Sequence, residues 1–442
     1  MPEIDKVDFD SSRVTDNHHM PFSSLNLSPT LLSAIAERGY LAPTAIQSAA
    51  IPAILAGRDV VASAQTGSGK TAAFALPLLQ QIAAIPTVAR GAIRPTSALI
   101  LVPTRELAAQ VGETVVSLST HLTRRVKVAV VFGGVSINPQ MMNLRGGADI
   151  IVGTPGRLLD LIDHNALSIS ALSTLVLDEA DRLLDLGFGE ELQRILSLLP
   201  SARQTLFFSA TFPPAIEKLA ATMLREPLRI EAAQTTDAKP DIVQRAIKVD
   251  APKRTQLLRH LLQNPQWSRV LVFVATKHAA EIVAEKLRKY SLKAEPFHGE
   301  LSQGKRTQVL ADFKASRLKV VIATDVAARG LDIAQLPVVV NFDLPRSAVD
   351  YTHRIGRTGR AGAPGLAVSF VSAESEAHFR LIEKRQNFRV EREQIAGFEP
   401  TETAKLNAEA AAGTGGIKGA RPSKKDKLRA TSSVVETLVR TK

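Results

Sequence analysis

Short apolar runs rich in Val, Ile and Leu recur along the chain, separated by stretches of helical periodicity. The first series is DVVAS (59–63), ALILV (98–102), VKVAVVF (126–132), DIIVG (149–153), TLVLD (174–178) and TLFFS (205–209). The second is RVLVFVA (269–275), KVVIAT (319–324), PVVVNF (337–342) and LAVSFV (366–371). Segments such as ELAAQVGETVVSLSTHL and KHAAEIVAEKLRKY carry the i, i+3, i+4 spacing of amphipathic helices. Fully buried strands alternating with helices predict an α/β fold with two parallel sheets in tandem.

The polar stretch EAAQTTDAKP between the two series has no periodicity and reads as a linker. The pattern therefore predicts an N-terminal extension at 1–20, a first domain at 21–230, a linker at 231–240 and a second domain at 241–395. The stretch 396–442, with AAAGTGGIKGARPSKKDK, mixes Ala and Gly with basic residues and predicts a disordered basic tail.

In open parallel sheets, ligands bind beyond the carboxyl ends of the strands. Here the unusual polar segments directly follow the apolar runs: AQTGSGKT, PTREL, GG, GTPGR, DEAD, SAT, TK and TDVAARGLD. Eight such loops predict one continuous active surface. AQTGSGKT, residues Ala64, Gln65, Thr66, Gly67, Ser68, Gly69, Lys70 and Thr71, departs from G-x-x-x-x-G-K-[ST] only at Ala64. Gly67 and Gly69 give the backbone its freedom in φ, a helix start follows, and a small Ala64 suits the first turn at negative φ. Lys70 is expected on the β- and γ-phosphates of a nucleotide and Thr71 on Mg²⁺. Asp178, at a strand end, is expected to hold the same metal through water, and Glu179 to orient and deprotonate the attacking water. HRIGRTGR sets His353 and three arginines between glycines; Arg357 and Arg360 read as arginine fingers from the second domain.

Composition narrows the partners. The chain has 442 residues and a formal charge of +12, of which the segment from Thr401 to Lys442 supplies nine Lys/Arg against four Asp/Glu. This favours a polyanion, and an aromatic content of 5% favours backbone contacts over base stacking. The absence of cysteine excludes disulfides, thiolate zinc sites and cysteine nucleophiles. No apolar run reaches a membrane span, and the N-terminus has no signal-like segment, so a cytoplasmic location and no membrane partner are expected.

With GYLAPTAIQ, AQTGSGKT, PTRELAAQ, GG, TPGR, DEAD, SAT, LVFVATK, ATDVAARGLD and HRIGRTGR in this order, the sequence closely resembles the DEAD-box ATP-dependent RNA helicases over about residues 20–375. GGVSINPQMMNLRGGADIIVGTPGR looks most like the bacterial RhlE-type branch. The resemblance implies two RecA-like domains with ATP and Mg²⁺ between them and RNA, single-stranded or duplex, across both. It also implies adenine stacking by Phe22 and pairing by Gln47, a ribose contact at Asp332 with Gly330 beside it, and coupling of hydrolysis to strand separation through Ser209 and Thr211. RNA contacts are implied at Thr104, Arg105, Gly134, Thr154 and Arg157, and at Thr276, Thr324 and Gly330. Such hydroxyls, guanidinium groups and amides bind phosphates and 2′-OH groups without reading bases. RhlE-type relatives suggest ribosomal or RNA-decay assemblies as partners. A DNA translocase on the same engine and an ATP-gated RNA clamp are the alternatives; the intact Glu179 argues against a silent clamp.

Overall fold

A computed structural model describes residues 21–64, 67–86, 89, 91–231, 242–328, 336–359 and 364–401. The first domain is a seven-stranded, all-parallel sheet in the order β3-β4-β2-β5-β6-β1-β7. Its strands are β1 (Val60–Ser63), β2 (Ala98–Leu101), β3 (Val128–Val131), β4 (Ile150–Gly153), β5 (Thr174–Leu177), β6 (Gln204–Ser209) and β7 (Leu228–Glu231). The second domain repeats the plan in the order β10-β11-β9-β12-β13-β8-β14. These strands are β8 (Ile242–Lys248), β9 (Val270–Val274), β10 (Ala294–Phe297), β11 (Val320–Thr324), β12 (Val338–Asn341), β13 (Gly365–Val371) and β14 (Arg392–Glu393).

The continuous apolar runs arise because both faces of each sheet are covered. Val60 and Ala62 join one core while Val61 joins the other; Ile100 and Leu101 divide in the same way. In the second sheet Val270, Val272 and Val274 face one core, and Leu271 and Phe273 the opposite one. Successive side chains point to opposite faces, so burial on both sides leaves no polar position.

The ten expected runs all contain strands, and four further strands complete the sheets. Three of the four, β7, β10 and β14, are outermost strands, where LRIE, AEPF and RE can carry polar residues. Pro296 is tolerated in β10 for the same reason. The fourth, β8, has Arg245 ion-paired to Glu393 on β14.

Two boundaries shift. Glu231, placed in the linker, ends β7, and the remaining linker positions lie outside the described residues. Residues 396–401, placed in the tail, pack on the second domain: Phe398 lies 5.5 Å from the His260 ring, and Thr401 donates through N and Oγ1 to Asp250, each at 2.8 Å. The extension 1–20 and residues 402–442 lie outside the described residues. No described helix is long and apolar enough to cross a membrane.

Candidate active site and nucleic-acid interface

The phosphate loop joins β1 to helix α3 (Lys70–Ala83). Gly67 and Gly69 take φ of 84° and 91°, and Ala64 is not among the described residues with positive φ. The φ of Gly69 favours glycine there, and a Cβ would also stand 2.5 Å from Gln47 Nε2 and 3.0 Å from Thr44 Oγ1, so those side chains would have to shift. Lys70 is buried, and its Nζ donates to the Ala64 carbonyl at 2.9 Å while lying 4.0 Å from Asp178 Oδ1. The loop thus uses the carbonyl at this position, which alanine supplies as well as glycine. Thr71 lines the adjoining cavity; Gln65 and Thr66 lie outside the described residues.

Gln47, on α2 (Ala45–Leu55), ties one wall of this cavity to the loop. Its Oε1 accepts from Thr44 N at 2.9 Å and its Nε2 donates to the Gly69 carbonyl at 3.1 Å; Thr44 Oγ1 donates to the Ser68 carbonyl. Phe22 departs from expectation. It is 6% exposed in the first-domain core and does not line the cavity, because the turn Phe22–Leu25 packs its apolar side inward. The aromatic ring at the cavity wall is Tyr40, with the Arg38 guanidinium 5.8 Å from its centroid.

Asp178 leaves the end of β5 buried, its amide bonded to the Leu101 carbonyl. Burial pushes its carboxyl up to about 6, against the pull of Lys70. Glu179 adopts φ 53°, ψ 52°, a left-handed conformation that aims its carboxylate into the cleft ahead of α7 (Ala180–Asp185). Such a strained non-glycine residue costs about 1–3 kcal/mol and is characteristic of functional sites. Asp181 is the hub that sequence reasoning missed. Its Oδ2 accepts from Thr211 N at 3.1 Å and Thr211 Oγ1 at 2.8 Å, and its amide donates to Ser209 Oγ, which donates to the Thr211 carbonyl. Ser209 and Thr211 are thereby locked to the acidic loop.

The second domain faces these groups. Arg357 and Glu179 line one cavity of about 840 Å³ together with Gln47, Gly67, Gly69 and Lys70. Glu179, Asp181, Arg182, His353 and Arg357 meet again in a smaller cavity beside it. Burial, reinforced by Arg182, pushes His353 down to about 4, so the ring is neutral at physiological pH. Arg354 has a different role from its neighbours. It is buried on α14 (Ala348–Ile355), pairs with Asp325 at 2.6 and 2.7 Å, bonds the Asp343 carbonyl and stacks on Phe273. Arg360, Gly330 and Asp332 lie outside the described residues.

Among the described residues, two ion pairs bridge the domains. Arg306 Nε donates to Glu106 Oε1 at 2.8 Å, with the side chains 5% and 9% exposed; Arg182 lies 3.5 Å from Asp350. Glu106 opens α4 (Arg105–Leu118) and Arg306 lies on α12 (Gln303–Lys314), so two helices from different domains face each other. Sequence reasoning missed all four residues; Glu106 sits in a quoted motif, whereas Arg306 carries no local signal.

The expected RNA residues cluster at strand ends. Thr104 caps α4, and the Arg105 guanidinium lies over Gly134, where a Cβ would be 2.5 Å from Nη1. Thr154 follows β4. Arg157 on α6 (Pro155–Asp163) donates Nη2 to the Val135 carbonyl at 2.7 Å; its buried Nε lies 3.5 Å from Asp160, and its buried Nη1 makes no hydrogen bond. An unsatisfied buried donor suits an anion. In the second domain Thr276 caps α11 (Lys277–Arg288) and Thr324 ends β11.

Comparisons with known proteins agree with this geometry. The DEAD/DEAH box helicase family matches residues 44–219, and the helicase conserved C-terminal domain matches residues 253–362. ATP-dependent RNA helicase DeaD of Buchnera aphidicola is 42% identical over 372 residues, 84% of this chain and 60% of the relative. DeaD of Mycobacterium tuberculosis is 40% identical, covering 87% and 67%; DEAD-box ATP-dependent RNA helicase CshA of Bacillus cereus is 40% identical, covering 84% and 69%. The chain thus spans three-fifths to two-thirds or slightly more of these relatives. S. cerevisiae Dbp5 bound to RNA and ADP BeF3 superposes with a TM-score of 0.73 at 32% identity, covering 85% of this chain and 95% of that one. The fold is therefore a pair of RecA-like domains, and the chain belongs to the DEAD-box ATP-dependent RNA helicase family.

Proposed function

We propose that the chain binds ATP in the cleft between its domains and uses it to close them over an RNA strand, opening duplexes locally. One observation carries this reading: Lys70, Asp178 and Glu179 of the first domain and Arg357 of the second line the same cavity. Lys70 and the N-terminus of α3 take the β- and γ-phosphates. Glu179 accepts a proton from the attacking water, and Arg357 with Arg360 offsets the charge that develops on the γ-phosphate. Tyr40 and Gln47 hold the adenine. The oxygen donors of Thr71 and Asp178 fit Mg²⁺, which takes one or two carboxylates and keeps water and phosphate for the rest. When bound, that ion neutralises phosphate charge.

Ser209 and Thr211, tied to Asp181, relay the state of the γ-phosphate to the RNA face. Thr104, Arg105, Gly134, Thr154 and Arg157, with Thr276, Thr324 and Gly330, grip sugar and phosphate. A strand held across both domains cannot stay in a regular A-form duplex, so its complement is displaced. Hydrolysis and phosphate loss remove the bridge and release the RNA. The basic tail adds a sequence-independent tether. The run around Gly134 supports a RhlE-type branch acting in the cytoplasm on ribosomal or RNA-decay assemblies.

The test is ATP turnover of the full chain with RNA or DNA of the same sequence. Stimulation by RNA well above that by DNA, abolished in Lys70→Ala, is expected. Equal stimulation by both would favour a DNA translocase.

A further inference from the structure

The carboxyl ends of the strands carry the site; the amino ends of β2, β3 and β4 carry a second feature that the site does not use. Arg94, Arg124 and Lys127 surround Asp149, and the backbones of Arg125 and Arg145 are tied to them. Arg94 Nη1 donates to Asp149 Oδ2 at 2.8 Å, Arg124 Nη2 to Oδ1 at 2.6 Å, and the Lys127 amide to Oδ2 at 2.7 Å. Arg94 Nη1 also reaches the Arg125 carbonyl at 3.0 Å, and Lys127 Nζ the Arg145 carbonyl at 3.0 Å. Asp149 is 1% exposed and Arg124 8%, while Arg125 and Arg145 are exposed.

Among the described residues, Asp149 is the carboxylate that ion-pairs with this group, so the cluster keeps a net charge of about +4. The buried carboxylate, fully engaged by three donors, fixes the scaffold on which Arg125 and Arg145 stand. Such an excess of positive charge at one end of the sheet favours an external polyanion. Position identifies the polyanion. β3 is the outermost strand of the sheet and β4 its neighbour. At their far ends lie Gly134, Thr154 and Arg157, one strand length of about 13 Å away. An RNA leaving the track past Gly134 meets this cluster if it runs down the same edge.

We infer that the amino-end cluster of the first sheet is a second RNA-backbone site, which holds the duplex flanking the gripped strand. Arg125 and Arg145 contact its phosphates; Arg94, Arg124 and Lys127 hold them in place. The inference rests on the reading of the chain as an RNA helicase.

Arg125→Glu/Arg145→Glu and Arg125→Gln/Arg145→Gln test it in the full chain, with thermal melting as a check on folding. The probes are a short single strand that only fills the track and a duplex with a single-stranded overhang. For the duplex probe, both variants should lose at least tenfold in affinity, and the slope of log affinity against log salt should fall by about 1.4–1.8, two phosphates' worth. The short strand should bind and stimulate ATP turnover unchanged. An unchanged duplex affinity and slope would overturn the second site. Equal losses on both probes would also overturn it, because the arginines would then act on the track itself. A wild-type chain whose turnover the short strand does not stimulate would overturn the helicase reading as well.

Discussion

Replacing Glu106 by Gln removes one partner of the buried pair that joins the domains. Arg306 is 5% exposed, and its other contacts are the His298 carbonyl at 3.1 Å and the Phe297 ring, 4.6 Å away. Breaking a buried pair from one side costs about 3–5 kcal/mol. Gln keeps an acceptor near Arg306, which brings the expected loss to about 2–3 kcal/mol, roughly 30- to 150-fold in an equilibrium constant. With the domains apart both side chains can meet water, so the loss falls on closure and leaves the stability of each domain nearly unchanged. The assay is the dissociation rate of labelled RNA from the complex closed by a non-hydrolysable ATP analogue. Glu106→Gln should release RNA faster by that factor, and Arg306→Met similarly. The double variant should lose much less than the sum, because neither charge is then stranded. Additive losses, or release at the wild-type rate, would refute the role given to this pair.

Glu179→Gln should still bind ATP and RNA but slow single-turnover hydrolysis by about 10²–10⁴, the usual share of a general base; hydrolysis at the wild-type rate would remove Glu179 from the chemistry. Phe22→Ala should cost about 3–5 kcal/mol of stability with little change in KM for ATP, whereas Tyr40→Ala should raise KM with little loss of stability. The reverse pattern, read by urea melts and steady-state kinetics, would return the stacking role to Phe22. For Asp178 the folded carboxyl sits at about 6 against an ordinary 3.8, so between those values the folded state holds a proton the unfolded state releases. The nucleotide-free protein should therefore lose stability as pH rises through that window, and ATP affinity, which needs the carboxylate, should fall as pH drops below about 6. Asp178→Asn should flatten both dependences, and a variant that kept the wild-type slopes would show that another group titrates.

Most of the candidate nucleotide site was legible in the sequence because its residues lie next to one another in loops at strand ends. Ala64, the stretch from Gly67 to Thr71 and the pair Asp178–Glu179 stand at strand ends, where the motifs put them. What was not legible depends on tertiary packing. Phe22 and Tyr40 are both aromatic residues near Gln47, and only the fold reveals that one points into the core and the other lines the cleft. Arg306 pairs with a residue 200 positions away, and nothing local announces it. Arg354 shares a motif with Arg357, yet Asp325 and Asp343 claim it for the framework of its own domain. Strands β7, β10 and β14 escaped the apolar-run pattern because outermost strands are covered on fewer sides.

The claim on which the rest depends is that nucleotide and RNA together bring the two domains into the arrangement joined by Glu106–Arg306 and Arg182–Asp350. The chain has no cysteine of its own, so one introduced cysteine in each domain can be labelled for single-molecule energy transfer. The account predicts a short interdomain distance only when an ATP analogue and RNA are both present, and a longer, broader distribution with either alone. An unchanged distance under all four conditions would contradict it.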